Sequence, residues 1–233
     1  MTDDPTVAII LKRSYLIPNE IRPPITFKPS QKTRRRTLRM KLYIPVLLGT
    51  TRIERQSIRV ARFILRTFGA YETVNTELID LAQYAIPPLE QRLSQMSDPP
   101  SGLRDFGETM RRADGLLIVA PEYKNAYPGV LKNAFDYLEK DVFRYKPIGI
   151  CTVSSGRFGG MQCLTQLRLV CLAMGGLPIP AKLPISNVQD VFDPDGAPRD
   201  PSLEEKRDAF LGELLWYTEA VVNQRKKAEK IAR

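Results

Sequence analysis

The chain has 233 residues, 43% hydrophobic and 26% charged, the composition of a soluble globular protein with room for one sizeable core. It contains no histidine, which excludes Ser-His-Asp and Cys-His nucleophilic systems and histidine-based metal sites. The net charge of +9 is uneven: residues 1–39 hold nine Lys/Arg against three acids, so the remainder carries only +3.

That distribution is weak ground for a nucleic-acid-binding domain, and no nucleic-acid partner is expected. No apolar run approaches the roughly 20 residues that span a membrane, so no membrane partner is expected either. Cys151, Cys163 and Cys171 lie in apolar surroundings without CxxC spacing. They read as buried thiols in a reducing compartment, which points to the cytoplasm.

Residues 1–39 are basic and Pro-rich, without a sustained period. Three readings stand side by side: a disordered extension, a targeting segment, or residues ahead of a true start at Met40. Residues 40–233 are expected to form the domain. Leu42 to Leu48 reads as the first strand, with an irregularity at Pro45. Ile58, Ala61, Ile64, Leu65 and Phe68 give the first helical stripe. Val74 to Leu81 is the second strand, and residues 82–101 are a polar, Pro-rich loop. Leu103 to Ala113 is a helix with Ser101 as its cap.

Leu116 to Ala120 is the third strand, and a helix follows from Asn125 or Tyr127 to about Lys140. Pro147 to Val153 is the fourth strand. Met161 to Met174 is an almost wholly apolar helix, either buried or at a subunit contact, ended by Gly175-Gly176. Leu177 to Pro180 is a short fifth strand. Residues 182–201 read as irregular, with a turn at Asp193–Gly196. Ser202 caps a last helix to about Lys227. Five β-α alternations imply a parallel sheet with helices on both faces. The length favours a flavodoxin-like three-layer sandwich with five strands in the order 2-1-3-4-5.

In that order the carboxyl ends of strands one, three and four meet, and each carries an unusual loop. Gly49 to Ser57 offers hydroxyls, an arginine and a helix N-terminus, the chemistry of a phosphate cradle. It lacks the GxxxxGK[ST] and GxGxxG patterns. Pro121 to Pro128 offers proline-held backbone and two tyrosine rings. Ser154 to Gly160 offers small residues that let a flat ring approach the backbone. Alone, each loop also reads as an ordinary βα turn. Together they suit a phosphate at one end and a planar polar ring at the other. That fits flavin mononucleotide (FMN) better than an adenine nucleotide.

Pro121-Glu122-Tyr123-x-x-x-Tyr127-Pro128-Gly129-x-Leu131-Lys132-Asn133-Ala134-x-Asp136 strongly resembles the signature of the NADPH-dependent FMN reductase family of quinone, azo-dye and chromate reductases. Gly49-Thr50-Thr51-Arg52 with Ser57, and Ser154-Ser155-Gly156-x-x-Gly159-Gly160, resemble its other two flavin loops. The resemblance runs from about Met40 to Glu219.

It implies that Thr50, Thr51, Arg52 and Ser57 hold the FMN phosphate. Pro121, Glu122, Tyr123 and Lys124 would line the isoalloxazine, and Ser154, Ser155, Gly156 and Gly159 would close its other edge. Family members often carry Asn where this chain has Lys124; a cation there would raise the flavin potential. The family implies hydride transfer from NADPH or NADH through flavin N5 to a quinone, azo or similar small-molecule acceptor by a ping-pong scheme. It implies no catalytic side chain and no metal. Arg52 and Arg157 would contact the nicotinamide nucleotide's phosphates. A homodimer or homotetramer is expected. The alternative is an FMN-binding electron carrier or redox-sensing interaction protein without NAD(P)H turnover.

Overall fold

A computed structural model describes residues 41–193 and 196–231; the expectations for residues 1–39 lie outside them. Its strands are β1 (Leu42–Tyr43), β2 (Val46–Leu48), β3 (Val74–Asn75), β4 (Leu78–Asp80), β5 (Leu116–Pro121), β6 (Pro147–Val153), β7 (Leu177–Pro178) and β8 (Leu183–Ile185). Its helices are α1 (Ser57–Phe68), α2 (Ser101–Arg112), α3 (Gly129–Asp136), α4 (Met161–Ala173), α5 (Val188–Val191) and α6 (Ser202–Ile231).

The expected five-stranded sheet in the order 2-1-3-4-5 is corrected. The larger sheet has six strands, ordered β4-β2-β5-β6-β7 with β8 also on β6, and β1 pairs with β3 in a separate two-stranded sheet. All the strand pairings are parallel. Proline explains the divisions, because it has no N–H to give a ladder. Pro45 splits the first pass into β1 and β2. Pairing on one side carries through it, since Ile44 N–H donates to Asn75 O at 3.0 Å and Val46 N–H to Glu77 O at 2.9 Å. Pro180 lies between β7 and β8, and Pro184 sits within β8. The residues read as irregular after 182 therefore include a strand.

Alternation along β5 sorts the core into two faces. Leu117 and Val119 pack with Val60, Phe63, Ile64 and Phe68 of α1 and with Phe210, Leu211 and Leu214 of α6. Leu116, Ile118 and Ala120 pack with Phe106 of α2, Leu131 and Phe135 of α3, and Leu164 and Leu167 of α4. The sheet is thus covered on both faces, and each large side chain buried this way contributes roughly 1.5–3 kcal/mol.

Two cap expectations are corrected. Ser101 lies inside α2, whose N-cap is Pro100 with no side-chain cap bond. Ser202 begins α6, but Asp200 does the capping: its carboxylate accepts the Ser202 N–H at 2.9 Å and hydroxyl at 2.6 Å. The glycine stop after α4 holds: Gly175 has φ 82°, and Gly176 N–H returns to Cys171 O at 2.9 Å. No described helix is long and apolar enough to cross a membrane.

Candidate functional site

Because β2, β5 and β6 are adjacent and parallel, their carboxyl ends bring the three loops to one edge of the sheet. The first loop closes tightly on the second. Gly49 N–H donates to Val119 O at 2.9 Å, and a Cβ at Gly49 would meet Leu131 at 2.8 Å. Thr50 is buried, and its Oγ pairs with the Tyr123 hydroxyl at 2.8 Å while accepting the Arg52 N–H at 3.3 Å. The Arg52 guanidinium stands 5.8 Å from the Tyr123 ring centroid. Thr50 is thereby engaged inside the protein. Thr51 and Arg52 are exposed.

Ser57 opens α1, whose N-terminus has no side-chain cap and no acid in its first turn. The Ser57 Oγ is buried without a hydrogen-bond partner, and so is Nε of Arg55. Buried polar atoms are normally satisfied, so two orphans at one uncapped helix start point to a bound acceptor. Arg55 was not among the expected site residues. Its guanidinium is ion-paired to the buried Asp80 carboxylate at the end of β4, while Asp80 also accepts the Ala82 N–H at 3.1 Å. The sequence signal was slight: an arginine two residues before the phosphate-loop serine, and an acid closing the neighbouring strand.

The second loop is a tight reversal. Tyr123 and Ala126 exchange both backbone hydrogen bonds, 2.8 and 3.0 Å, around Lys124 and Asn125. Those two residues have φ 50° and 63°, the double left-handed pattern of a type I′ turn. Lys124 is exposed at its tip. The Glu122 side chain is turned to α4, where Oε2 accepts the N–H groups of Gln162 and Cys163, both at 3.0 Å. Burial, with Glu122 nearby, pushes the Cys163 thiol up to about 12, so it stays protonated. All three cysteines are free and buried.

Part of the signature is scaffold. Asn133 donates to Pro87 O at 2.7 Å and accepts the Leu89 N–H at 2.9 Å, and the Tyr137 hydroxyl donates to Pro88 O at 2.9 Å. These bonds pin the Pro-rich segment to α3. Lys132 and Asp136 form an ion pair one helical turn apart.

In the third loop, Ser154 Oγ donates to Gly156 O at 2.8 Å and Ser186 Oγ to Arg157 O at 2.9 Å. Gly159 has φ 62°, and a Cβ there would meet Pro184 at 2.8 Å. Gly156 is different: a Cβ there would meet nothing within 4 Å. Its Cα side is open, while its carbonyl accepts from Ser154 Oγ and from the Asn187 N–H at 3.1 Å. Ser155 is exposed, and its carbonyl accepts from Gln189 Nε2 at 3.2 Å. Arg157 lies over the exposed Phe158 ring at 4.8 Å.

An uncapped helix start with orphaned donors, at the same edge of the sheet as a glycine with open space at its Cα, suits a phosphate-bearing cofactor site on an α/β sheet. The model of the NADPH-dependent FMN reductase family matches residues 42–190. The chain belongs to that family, and it is an oxidoreductase of the FMN- and NADPH-using class. Among curated relatives, the FMN-dependent NADPH-azoreductase of Staphylococcus aureus (strain USA300) is 25% identical over 154 residues, 65% of this chain and 81% of that protein.

Two solved structures share the fold. The flavoenzyme NAD(P)H:(acceptor) oxidoreductase FerB from Paracoccus denitrificans has a TM-score of 0.63 at 19% identity, covering 77% of this chain and 98% of its own. An oxidoreductase from Corynebacterium diphtheriae has a TM-score of 0.62 at 19% identity, covering 78% and 98%. The α/β expectation and the enzyme class expected from the signature agree with these findings.

Proposed function

We propose that this chain is an FMN-dependent NADPH oxidoreductase that reduces a small-molecule acceptor of the quinone or azo type by a ping-pong scheme. The observation that carries the reading is the pair of orphaned donors, Ser57 Oγ and Arg55 Nε, at the start of α1. In this reading they hold the FMN phosphate, with Thr51 and Arg52 on its exposed side. Thr50 serves the phosphate loop indirectly, by tying it to Tyr123. Backbone from Pro121 to Lys124 lines one side of the ring, with Glu122 contributing backbone only. Ser154, Ser155 and Gly156 line the other edge, and Gly159 sets the path of that loop.

When bound, FMN supplies a two-electron relay that NADPH and the acceptor use in turn. The side chains bind, orient and exclude water. Arg52 and Arg157, both exposed at the mouth, are the cations available to a dinucleotide phosphate. Residues 40–233 act as one domain. Leu169 and Leu172 leave an apolar stripe on α4, 64% and 57% exposed, which fits the contact of a homo-oligomer.

Reconstitution with FMN tests the reading. The expected product is yellow, absorbs near ~450 nm, bleaches with NADPH and regains colour with a quinone. Absence of binding removes the proposal. Colour that NADPH leaves unbleached favours the electron carrier. Sedimentation of the wild type against Leu169→Glu/Leu172→Glu tests the oligomer, with the variant expected to run as a monomer.

A further inference from the structure

We infer that Glu122 is a positioning residue that locks the second loop to α4, so that the two walls of the proposed flavin site form one unit. The inference rests on the flavin reading for its consequence and on hydrogen bonds for its mechanics. Oε2 of Glu122 accepts from Gln162 and Cys163 at 3.0 Å each. These are the second and third amides of α4, the pair that a local capping side chain would take. No local cap exists: Gly160 is the N-cap, at φ 77°, and the first turn holds no acid. The helix is therefore capped from a loop 40 residues away in sequence.

Two further bonds run the same way. Gln166 Nε2 donates to Asn125 O at 2.7 Å, and Glu122 N–H donates to Val153 O at 2.9 Å. The turn that presents Tyr123 and Lys124 is thus held from below by β6 and from the side by α4. The α4 N-terminus is also the end of the third loop, so a shift in either wall is passed to the other. Because Glu122 already occupies the positive end of α4, that end is not free for a ligand phosphate. The start of α1, which lacks such a cap, is left for it.

The competing roles are direct contact of Glu122 with the cofactor and simple helix capping. Glu122→Ala and Glu122→Ala/Gln162→Glu separate them. Gln162 is exposed in the first turn, so a glutamate there restores the helix-end charge without the tether. Amide exchange of Tyr123 and Ala126 in the apo protein reads the tether directly. FMN titration reads its consequence, and thermal unfolding reads the cap.

Glu122→Ala is expected to speed those two amides and weaken FMN binding about tenfold or more, with a lower unfolding temperature. The double variant is expected to regain unfolding temperature while exchange stays fast and FMN stays weak. Recovery of exchange and affinity in the double variant overturns the inference in favour of capping alone. Unchanged exchange in Glu122→Ala overturns it outright. Lost affinity with wild-type exchange assigns Glu122 to direct contact, which also overturns it. If the wild type binds no FMN, the flavin reading fails, while the exchange data still decide the tether.

Discussion

The Tyr123 hydroxyl lies 2.8 Å from Oγ of the buried Thr50, joining the phosphate-side loop to the ring-side turn. The contact is worth more than its single hydrogen bond, because Thr50 Oγ also fixes the Arg52 N–H. Tyr123→Phe keeps the ring beneath the Arg52 guanidinium and removes only the hydroxyl. A loss of about 1 kcal/mol in urea denaturation is expected. FMN affinity falls several-fold in the same variant, since the two loops no longer move together. A stability loss with wild-type affinity separates the two roles against this coupling.

Glu54 stands in the phosphate-side loop with φ 55°, a conformation that a residue bearing a Cβ adopts at a cost of roughly 1–2 kcal/mol. It also brings an exposed negative charge to a loop proposed to hold a phosphate. Glu54→Gly relieves both. Part of the backbone gain is offset by glycine's greater freedom in the unfolded chain. A net stabilisation of about 0.5–1 kcal/mol is expected, together with tighter FMN binding, the gain in affinity being largest at low salt and shrinking as salt screens the loop. Unchanged affinity at low salt removes the electrostatic half of the argument.

Lys124 occupies the first central position of the type I′ turn at φ 50°. Asparagine tolerates that region better, so Lys124→Asn is expected to raise stability by about 0.5 kcal/mol. The same change removes an exposed cation from the ring-side wall. A nearby cation favours the reduced, anionic flavin, so the midpoint potential of the reconstituted protein is expected to fall. An unmoved potential leaves Lys124 with a surface role alone.

These contacts show where sequence reading works and where it stops. The alternation of apolar runs and helical stripes was legible because each element has one dominant period. The sheet's divisions were legible only as a warning, through Pro45. β8 was hidden because three residues with a proline at their centre carry no period. The loops were legible through composition and family signature, which could not say which way a side chain turns. Glu122 sits in the signature beside Tyr123, yet its carboxylate serves a helix that begins 39 residues later. Arg55 was missed because its meaning depends on Asp80, 25 residues away and adjacent only through the β2–β4 pairing.

Lys146 is a buried cation far from these loops, 3% exposed, with its Nζ donating to the Met110 carbonyl. Burial, then repulsion from Arg225, lowers its pKa from 10.5 to about 8, with Asp114 opposing and Arg111 adding to the fall. A lysine depressed in the folded state is more readily protonated when unfolded. Below about pH 8 both states hold the proton and the burial cost is fully present. Between about 8 and 10.5 the unfolded chain holds more protons, so stability rises with pH through that window. Lys146→Met removes the titration. The wild type is expected to gain up to about 3 kcal/mol relative to the variant between pH 7 and 10.5. Parallel stability–pH curves for the two proteins reject the assignment.

Gly156 and Gly159 sit three residues apart in the third loop and should respond oppositely to the same substitution. A Cβ at Gly159 meets Pro184 Cβ at 2.8 Å from a backbone already at φ 62°. Strain and clash act together there, so Gly159→Ala is expected to cost about 2 kcal/mol or more of stability. A Cβ at Gly156 has no neighbour within 4 Å, so Gly156→Ala leaves the apo protein's stability within about 0.5 kcal/mol. The open space is where the proposed ring edge lies, and a methyl group there fills it. Gly156→Ala is therefore expected to lose FMN affinity by tenfold or more, with a normal urea midpoint. Wild-type affinity in that variant moves the ring edge away from Gly156 and leaves the start of α1 as the only fixed end of the site.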